Sequence, residues 1–406
     1  MSIQFNIDDI FSDGAARRTD IAKARIFFAI GDGNGEAPHT RRTLNQKLGL
    51  RPATVSAMVG ELITDGLVVE GQKVPATGKG RPEVSLNHLP QRIATITLEI
   101  LARTIRGVLV DIDGQEMAQS STTVNEEDAE REIIAEAFDG IVDDLLSQCP
   151  DESKISGIGI ALPGIVDENG LRWISAARWP RISGLDFHWL AERTGLEIHI
   201  ERKRQAELRA RMQRHPDEQT QSVLHVVWGY GISSAFAQNG VVLSSAIGGF
   251  GDLGHWLVDP ESRQKCLCGQ MGCLEAHAAL WALQPEIRAN FPEIPDQPGA
   301  VEKFMRSHDI SGLTRVERGT RLFTLSLYNM FKAFFPDKIV LSGCFPHSPG
   351  MAERVRSFFT RMPEYADGRV TLEIEDSNAD DAVIGLATPL FNVSLRPLLT
   401  AKDARI

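Results

Sequence analysis

The sequence predicts an α/β protein in which a small helical DNA-binding module precedes a larger body of sheets and helices. Three observations lead to this prediction: a length of 406 residues, a basic segment near the N-terminus, and a change from helical to strand-like periodicity near residue 91. A chain of this length exceeds the size at which one hydrophobic core usually stops growing, so several domains are expected. We place the module at residues 15–90 and the body at residues 91–406.

Composition favours a soluble protein of the cytoplasm. Hydrophobic residues make up 42% of the chain and charged residues 24%, as in ordinary globular proteins. No apolar run reaches the length of a membrane span, and the first residues lack the pattern of a signal peptide, so no membrane partner is expected. The five cysteines are odd in number and mostly clustered, which favours reduced thiols over a disulfide framework.

The charge is distributed unevenly along the chain. The formal net charge is −11, yet residues 15–90 contain eleven Lys and Arg against seven Asp and Glu, a local charge of +4. The first fourteen residues contribute −3 and the remainder −12. A basic segment on an acidic body is typical of a nucleic-acid-binding module attached to another domain.

The basic segment has the pattern of a winged helix-turn-helix. Ile21 to Ile30 predict one helix, and apolar residues at helical spacing from Leu44 to Ile63 predict two more. Gly49 interrupts that pattern where two short helices must turn, and Pro52 suits the first turn of the next helix. After Gly66, two short strands flank the Gly/Pro-rich stretch GQKVPATGKGRP, which predicts a hairpin wing.

In such a module the second helix of the pair enters the major groove of DNA. Arg51 is placed to contact guanine, and Arg81 in the wing is placed to enter a narrow minor groove. The candidate DNA-binding residues are Arg51, Thr54, Ser56, Ala57, Lys79 and Arg81. The alternatives are a helix-turn-helix that makes only protein contacts, or arginines that are simply solvated.

The body alternates strands and helices. ATITLEI, RGVLVDIDGQ and QSSTTV read as consecutive strands, and an amphipathic helix follows near residues 128–149. ISGIGIALPGIVD, LEIHIE, SVLHVVWGYGISSAFAQNGVVL and KIVLSG add further strands between helical segments. This alternation predicts an α/β body with two sheets.

The order of these motifs resembles the ROK family of repressors, open reading frames and kinases over essentially the whole chain. TVSAMVGELITDGLV and GKGRP resemble its repressor branch, ALPGIVDENG its sugar-site loop, GDLGHWLVDP its Glu-x-Gly-His loop, and CLCGQMGCLEAHA its zinc loop. The resemblance implies a two-lobed, actin-like ATPase fold of the ribonuclease H-like type. Lobe one would comprise about residues 91–198 plus the C-terminal helix, and lobe two about residues 199–380.

The resemblance places a zinc ion on one histidine and three cysteines. These candidate ligands are His255, Cys266, Cys268 and Cys273. A set of three thiolates and one imidazole leaves no open coordination position, so the Zn²⁺ would be structural. The alternative is a group of buried or redox-active cysteines without metal.

The kinase machinery of the family is expected to be lost. The first phosphate loop is matched by Glu99 to Arg103, which lack the two glycines, and the second, GYGISSA, keeps only its early glycines. The resemblance puts the catalytic Asp at Lys203, and a protonated lysine cannot accept a proton from a sugar hydroxyl. We therefore expect neither ATP binding nor sugar phosphorylation.

The resemblance also implies an effector site. Its candidate residues are Arg202, Lys203, Asp252, His255 and Glu275. Because guanidinium and ammonium groups suit carboxylate or phosphate, the sequence favours an acidic or phosphorylated sugar over a neutral one. The alternative is that Arg202, Lys203 and Arg204 form a solvated or salt-bridged strand end and that ligand response is lost.

These inferences describe a transcriptional regulator, a repressor of carbohydrate-related genes. It would bind double-stranded operator DNA as a homodimer or homotetramer and sense a sugar through its body. One alternative is a residual sugar kinase fused to a DNA-binding module. Another is a scaffold whose winged helix contacts proteins.

Overall fold

The structure is a computed structural model that describes residues 3–12, 14, 16–32, 38–74, 83–101, 103–125, 129–245 and 250–402. Among its described residues, the region up to residue 90 contains four helices and a two-stranded antiparallel sheet, and the first helix lies before the module boundary predicted at residue 15. Its elements are α1 (Ile7–Ile10), α2 (Arg18–Gly31), α3 (Arg41–Leu48), α4 (Pro52–Thr64), β1 (Val68–Val74) and β2 (Glu83–His88). The predicted wing strands are therefore present, and the loop between them lies outside the described residues.

Local chemistry explains how α3 and α4 are separated. Gly49 ends α3 with φ of 66°, a left-handed conformation that costs glycine little. Pro52 begins α4, where its missing N–H needs no partner. A helix-turn-helix results, with α4 packed on both α2 and α3.

The first sheet of the body has the strand order β10-β6-β3-β4-β5. A small three-stranded sheet, β7-β8-β9, follows β6. The strands are β3 (Ile93–Leu101), β4 (Thr104–Asp111), β5 (Glu116–Thr123), β6 (Lys154–Leu162), β7 (Ile165–Asp167), β8 (Arg172–Ser175), β9 (Leu185–Asp186) and β10 (Ile198–Arg202). The helices are α5 (Arg131–Gln148), α6 (His188–Thr194) and α7 (Lys203–Arg214). Since β10 pairs with β6, the first sheet runs to Arg202, past the approximate boundary at residue 198.

The second sheet has the strand order β13-β12-β11-β14-β15. Its strands are β11 (Ser222–Trp228), β12 (Ile232–Gln238), β13 (Val241–Val242), β14 (Lys338–Ser342) and β15 (Thr371–Ile374). The accompanying helices are α8 (Leu274–Ala278), α9 (Leu280–Asn290), α10 (Pro298–Ser307), α11 (Thr314–Phe334), α12 (Pro349–Phe359) and α13 (Pro363–Ala366). Short 3₁₀ turns occur at Pro90–Arg92, Pro216–Thr220, Leu253–His255 and Phe345–His347.

The last helix, α14 (Asp381–Leu399), packs against β3 and β6 of the first sheet and against α7. Gly385 permits this contact, because a Cβ there would lie 1.9 Å from the carbonyl oxygen of Ala206. Among the described helices, α14 alone has the length and hydropathy of a membrane span, and 61% of that stretch is buried inside the protein. It occupies the position of a core helix.

Candidate functional site

Helix α4 has one face in the core and one face in solvent. Val55, Met58, Val59 and Leu62 are completely buried and pack in the hydrophobic core that the module shares with α14. On the other face Arg51, Ser56 and Ala57 are exposed and Thr54 is half-buried, as the proposed DNA contact requires. Lys79 and Arg81 lie outside the described residues.

The charges around α4 leave one arginine available. Arg41 on α3 pairs with Glu70 of the wing at 2.8 Å, and Arg42 approaches Glu83 at 3.4 Å. Arg51 has no ion-pair partner in the part of the chain that the structure describes. The arginine at the start of α4 therefore projects into solvent with its charge uncompensated.

The four predicted metal ligands come together in the second lobe. Nitrogen and sulfur atoms of His255, Cys266, Cys268 and Cys273 all lie within 4.8 Å of one another. Cys266 Sγ is 3.6 Å from His255 Nδ1, and Cys268 Sγ is 3.7 Å from Cys273 Sγ. A tetrahedral ion with metal–sulfur bonds of about 2.3 Å separates its sulfurs by about 3.8 Å, so the donor set and its spacing fit Zn²⁺.

Short backbone pairings create this arrangement. The bridges Leu257–Cys273 and Lys265–Met271 close the loop, and Gly269 and Gly272 adopt φ of 92° and 75° within it. Burial raises the pKa of Cys273 to about 11, and the neighbouring Cys268 thiol contributes to this rise. A bound cation favours thiolates, so metal binding and the closed loop support each other.

The loop that carries the three cysteines leads directly into α8 and so positions Glu275. The Glu275 carboxylate is buried, and its Oε1 accepts a hydrogen bond from the backbone N–H of Ile232 at 2.7 Å. Gly231 is required here, because a Cβ would lie 2.7 Å from that same oxygen. Burial raises the pKa of Glu275, and the hydrogen bond from Ile232 opposes this rise, as does nearby His255. His255 and Glu275 thus lie near each other.

The predicted cationic row at the end of β10 divides into three environments. Lys203 Nζ donates to Glu99 Oε2 at 2.8 Å, and Arg204 pairs with Glu207. Arg202 is buried, donates to the carbonyl of Phe250 at 3.3 Å and lies 3.9 Å from Asp252. Two of the three cations are therefore held in close ion pairs, as the salt-bridged alternative requires for those two residues.

The ion pair of Lys203 and Glu99 has a particular place in the fold. Glu99 lies near the end of β3 and Lys203 begins α7, the positions that the resemblance assigns to the phosphate-loop Asp and the catalytic base. Arg106 also approaches Glu99, at 3.4 Å. Burial lowers the pKa of Lys203, and the Glu99 carboxylate opposes this change. The pair directly links the two sites where the chemistry of a kinase would occur.

One carboxylate near Arg202 was not among the residues predicted from the sequence. Glu168, just after β7, has its pKa raised by burial, while a hydrogen bond from Gln205 acts in the opposite direction. Glu168 also interacts electrostatically with Arg202. The signal for it was its position in the loop ALPGIVDENG, which resembles the family's sugar-site loop.

Together, a winged helix with an outward-facing α4 and a two-sheet body with a Cys₃His loop define a DNA-binding regulator built on a sugar-kinase-like body. The chain belongs to the ROK family, whose model matches residues 95–388. This confirms the family and the fold class that the sequence predicted.

Two repressors illustrate the similarity. The xylose repressor of Bacillus spizizenii is 23% identical over 324 residues, which cover 79% of this chain and 82% of that one. The DNA-binding transcriptional repressor Mlc of Escherichia coli is 25% identical over 256 residues, which cover 60% of each chain. A glucokinase of Halalkalibacterium halodurans is 21% identical over 71% of this chain.

Solved structures share the fold to different extents. A ROK family transcriptional regulator, a homologue of the E. coli MLC protein, superposes with a TM-score of 0.68 at 18% identity, covering 94% of this chain and 99% of that one. A ROK glucokinase of Streptomyces griseus gives a TM-score of 0.55 at 19% identity, covering 72% and 98%. Taken with the curated repressors, this likeness supports a ROK-family transcriptional regulator over the kinase alternative.

Proposed function

We propose that this protein is a cytoplasmic repressor of carbohydrate-related genes that binds operator DNA through its winged helix. Two copies would form a homodimer, or a tetramer of two dimers, and read two half-sites of a palindromic operator. The body would sense a sugar without phosphorylating it, and a structural zinc ion would hold the loop that carries His255 and Glu275.

The observation that carries this proposal is the two-sided character of α4. Its inner face is completely buried, so the helix is rigidly placed, while Arg51, Ser56 and Ala57 on the outer face are exposed. An arginine with no counter-ion at the start of such a helix suits a guanine edge or a phosphate.

The loss of kinase activity is supported by the ion pair of Lys203 and Glu99. A general base must accept the proton of the attacking hydroxyl, and an ammonium group held by a carboxylate at 2.8 Å cannot do so. The same pair removes a free carboxylate from the site where a nucleotide-bound metal ion would need one. We therefore propose that neither ATP nor another phosphoryl donor is a substrate.

The effector is proposed to be a sugar that is bound through both hydroxyls and a negative group. Carboxylates of Glu168, Asp252 and Glu275 are available to accept hydrogen bonds from hydroxyls, whereas Arg202 is the one cation of the row without a close ion pair. A single carboxylate on the sugar would match a single guanidinium, so an acidic sugar fits better than a phosphorylated one.

Two experiments test the proposal. Selection from a pool of random duplexes should enrich one palindromic sequence, and binding to it should weaken steeply with salt because phosphate contacts release counterions. A thermal-shift comparison of glucose, glucuronate and glucose 6-phosphate should show the largest stabilisation by glucuronate. Failure to enrich any duplex would exclude the regulator, and stabilisation by glucose alone would exclude the role of Arg202.

The kinase alternative is tested separately. A coupled assay that measures ADP release from ATP with a mixture of sugars should give no rate above that without sugar. A sugar-dependent rate that disappears in a Glu275→Gln variant would instead support the residual kinase.

A further inference from the structure

The end of the described chain lies against the winged helix. After α14, residues Ala401 and Lys402, here called the C-terminal clasp, contact α2 and α4. Ala401 is bound by both of its backbone groups: its N–H donates to Asp20 Oδ1 at 2.9 Å, and its carbonyl accepts from Arg17 Nη2 at 2.5 Å. Arg17 and Asp20 also pair with each other at 2.9 Å. The first turn of α2 therefore forms a docking site for one residue of the clasp.

The second residue of the clasp balances the charge at the end of α4. Glu61 and Asp65 place two carboxylates there, where the helix dipole is already negative. The completely buried Lys23 lies 2.9 Å from Glu61 and 3.2 Å from Asp65. Lys402 supplies the second cation: its backbone N–H donates to Glu61 at 3.1 Å, and its Nζ contacts Asp65. Two ammonium groups thus neutralise two carboxylates.

The opposite end of α14 is attached to the second half of α7. Arg214 of α7 pairs with Asp381 at 2.9 Å, and Arg209 donates to the carbonyl of Gly385 at 2.8 Å. Helix α7 begins at Lys203, beside the candidate effector residues. Helix α14 therefore connects the candidate effector residues, through α7, to the clasp on the N-terminal module.

We propose that Ala401 and Lys402 are positioning residues for DNA recognition. They fix the orientation of α4 relative to the body, so that the two α4 helices of a dimer meet both half-sites at once. This inference rests on the proposed operator binding, since the clasp itself touches no DNA. Loss of the clasp would let the module turn on the body and lower the affinity for the specific sequence more than the affinity for DNA in general.

The test uses the intact protein and three single variants. Lys402→Met removes the charge, Lys402→Arg retains it, and Lys332→Met is the control, because Lys332 makes a similar partly exposed pair with Glu364 in the second lobe at 2.5 Å. Hydrogen exchange of the α2 and α4 backbone amides is measured without DNA. Affinity is measured for the duplex that the intact protein enriches and for an unrelated duplex.

Lys402→Met is expected to speed exchange in α4 and to weaken binding to the enriched duplex by about threefold to fivefold. Binding to the unrelated duplex should stay unchanged, so the specificity ratio falls by the same factor. Lys402→Arg should keep the wild-type exchange in α4 and the wild-type specificity ratio, and Lys332→Met should also leave both quantities unchanged. A second variant, Ala401→Pro, removes the backbone N–H that donates to Asp20. It should also speed exchange in α4 and weaken binding to the enriched duplex.

Two results would overturn the proposal. Wild-type exchange in α4 for both Lys402→Met and Ala401→Pro would show that the clasp does not hold the helix. Faster exchange with an unchanged specificity ratio would show that it holds α4 without positioning it for DNA. Failure of the intact protein to enrich any duplex would instead refute operator binding and, with it, the role in recognition, while the exchange data would still decide whether the clasp holds the helix.

Discussion

Replacing Glu99 by glutamine should destabilise the body, because Lys203 would lose its counter-ion. The substitution keeps the shape of the side chain and removes its charge. Glu99 is 3% exposed and Lys203 20% exposed, so water can compensate the lysine only in part. Arg106 also loses its contact with Glu99 at 3.4 Å, which leaves two cations close to each other.

The size of the effect follows from this burial. Removing one partner of a buried ion pair costs about 3–5 kcal/mol, and the partial exposure of Lys203 reduces the expected loss to about 2–3 kcal/mol. The double variant Glu99→Gln/Lys203→Met carries no unpaired lysine. It should therefore recover most of the lost stability, which gives a coupling energy of about 2 kcal/mol between the two positions.

Urea unfolding followed by tryptophan fluorescence measures this effect in the body alone. All six tryptophans lie beyond residue 91: Trp173, Trp179, Trp189, Trp228, Trp256 and Trp281. Glu152→Gln is the matched control, because Glu152 is 79% exposed in its pair with Arg92 at 3.1 Å, and its midpoint should not move. A midpoint for Glu99→Gln as unchanged as that of this control, or a double variant as unstable as the single one, would refute the coupling between Glu99 and Lys203.

Three further predictions concern pH, metal and DNA. Burial, reinforced by nearby arginines, lowers the pKa of His225 to about 3, so below pH 6.5 the unfolded chain binds a proton that the folded chain does not. The free energy of unfolding should therefore fall by up to about 1.4 kcal/mol per pH unit between pH 6.5 and 3. In urea unfolding at a series of acid pH values, His225→Gln should show a smaller fall. Cys268→Ser should lower zinc from about one ion per chain to a small fraction by elemental analysis, whereas Cys149→Ser should retain it. Arg51→Ala should weaken operator binding about tenfold in gel shifts, and an unchanged affinity would remove Arg51 from the interface.

Features that depend on neighbouring residues could be predicted from the sequence. Gly49 and Pro52 marked the turn between α3 and α4, and the short spacing of three cysteines marked the metal loop. In both cases the relevant residues are close along the chain, so the backbone alone restricts how they meet. The resemblance supplied the longer connection from the cysteines to His255.

Features that depend on distant partners could not be predicted. The row Arg202 to Arg204 looked like one cationic surface, yet Lys203 pairs with Glu99, 104 residues away in the chain. The link between Lys402 and Asp65 spans 337 residues. Charge patterns show which residues need counter-ions, but only tertiary packing decides which counter-ions they find.

The close contact at Gly385 and the burial of α14 along its length mean that α14 can move only together with α7. The helix ends at Leu399, fourteen residues after Gly385. At a rise of about 1.5 Å per residue, the two residues are about 21 Å apart along the helix. A rotation of about 5° about the contact at Gly385 moves the far end of α14 by about 2 Å, enough to break a hydrogen bond of ordinary length. A rotation of these two helices would thus displace the clasp more than it displaces Ala206, and the absence of a side chain at residue 385 is what allows the two helices to pack so closely.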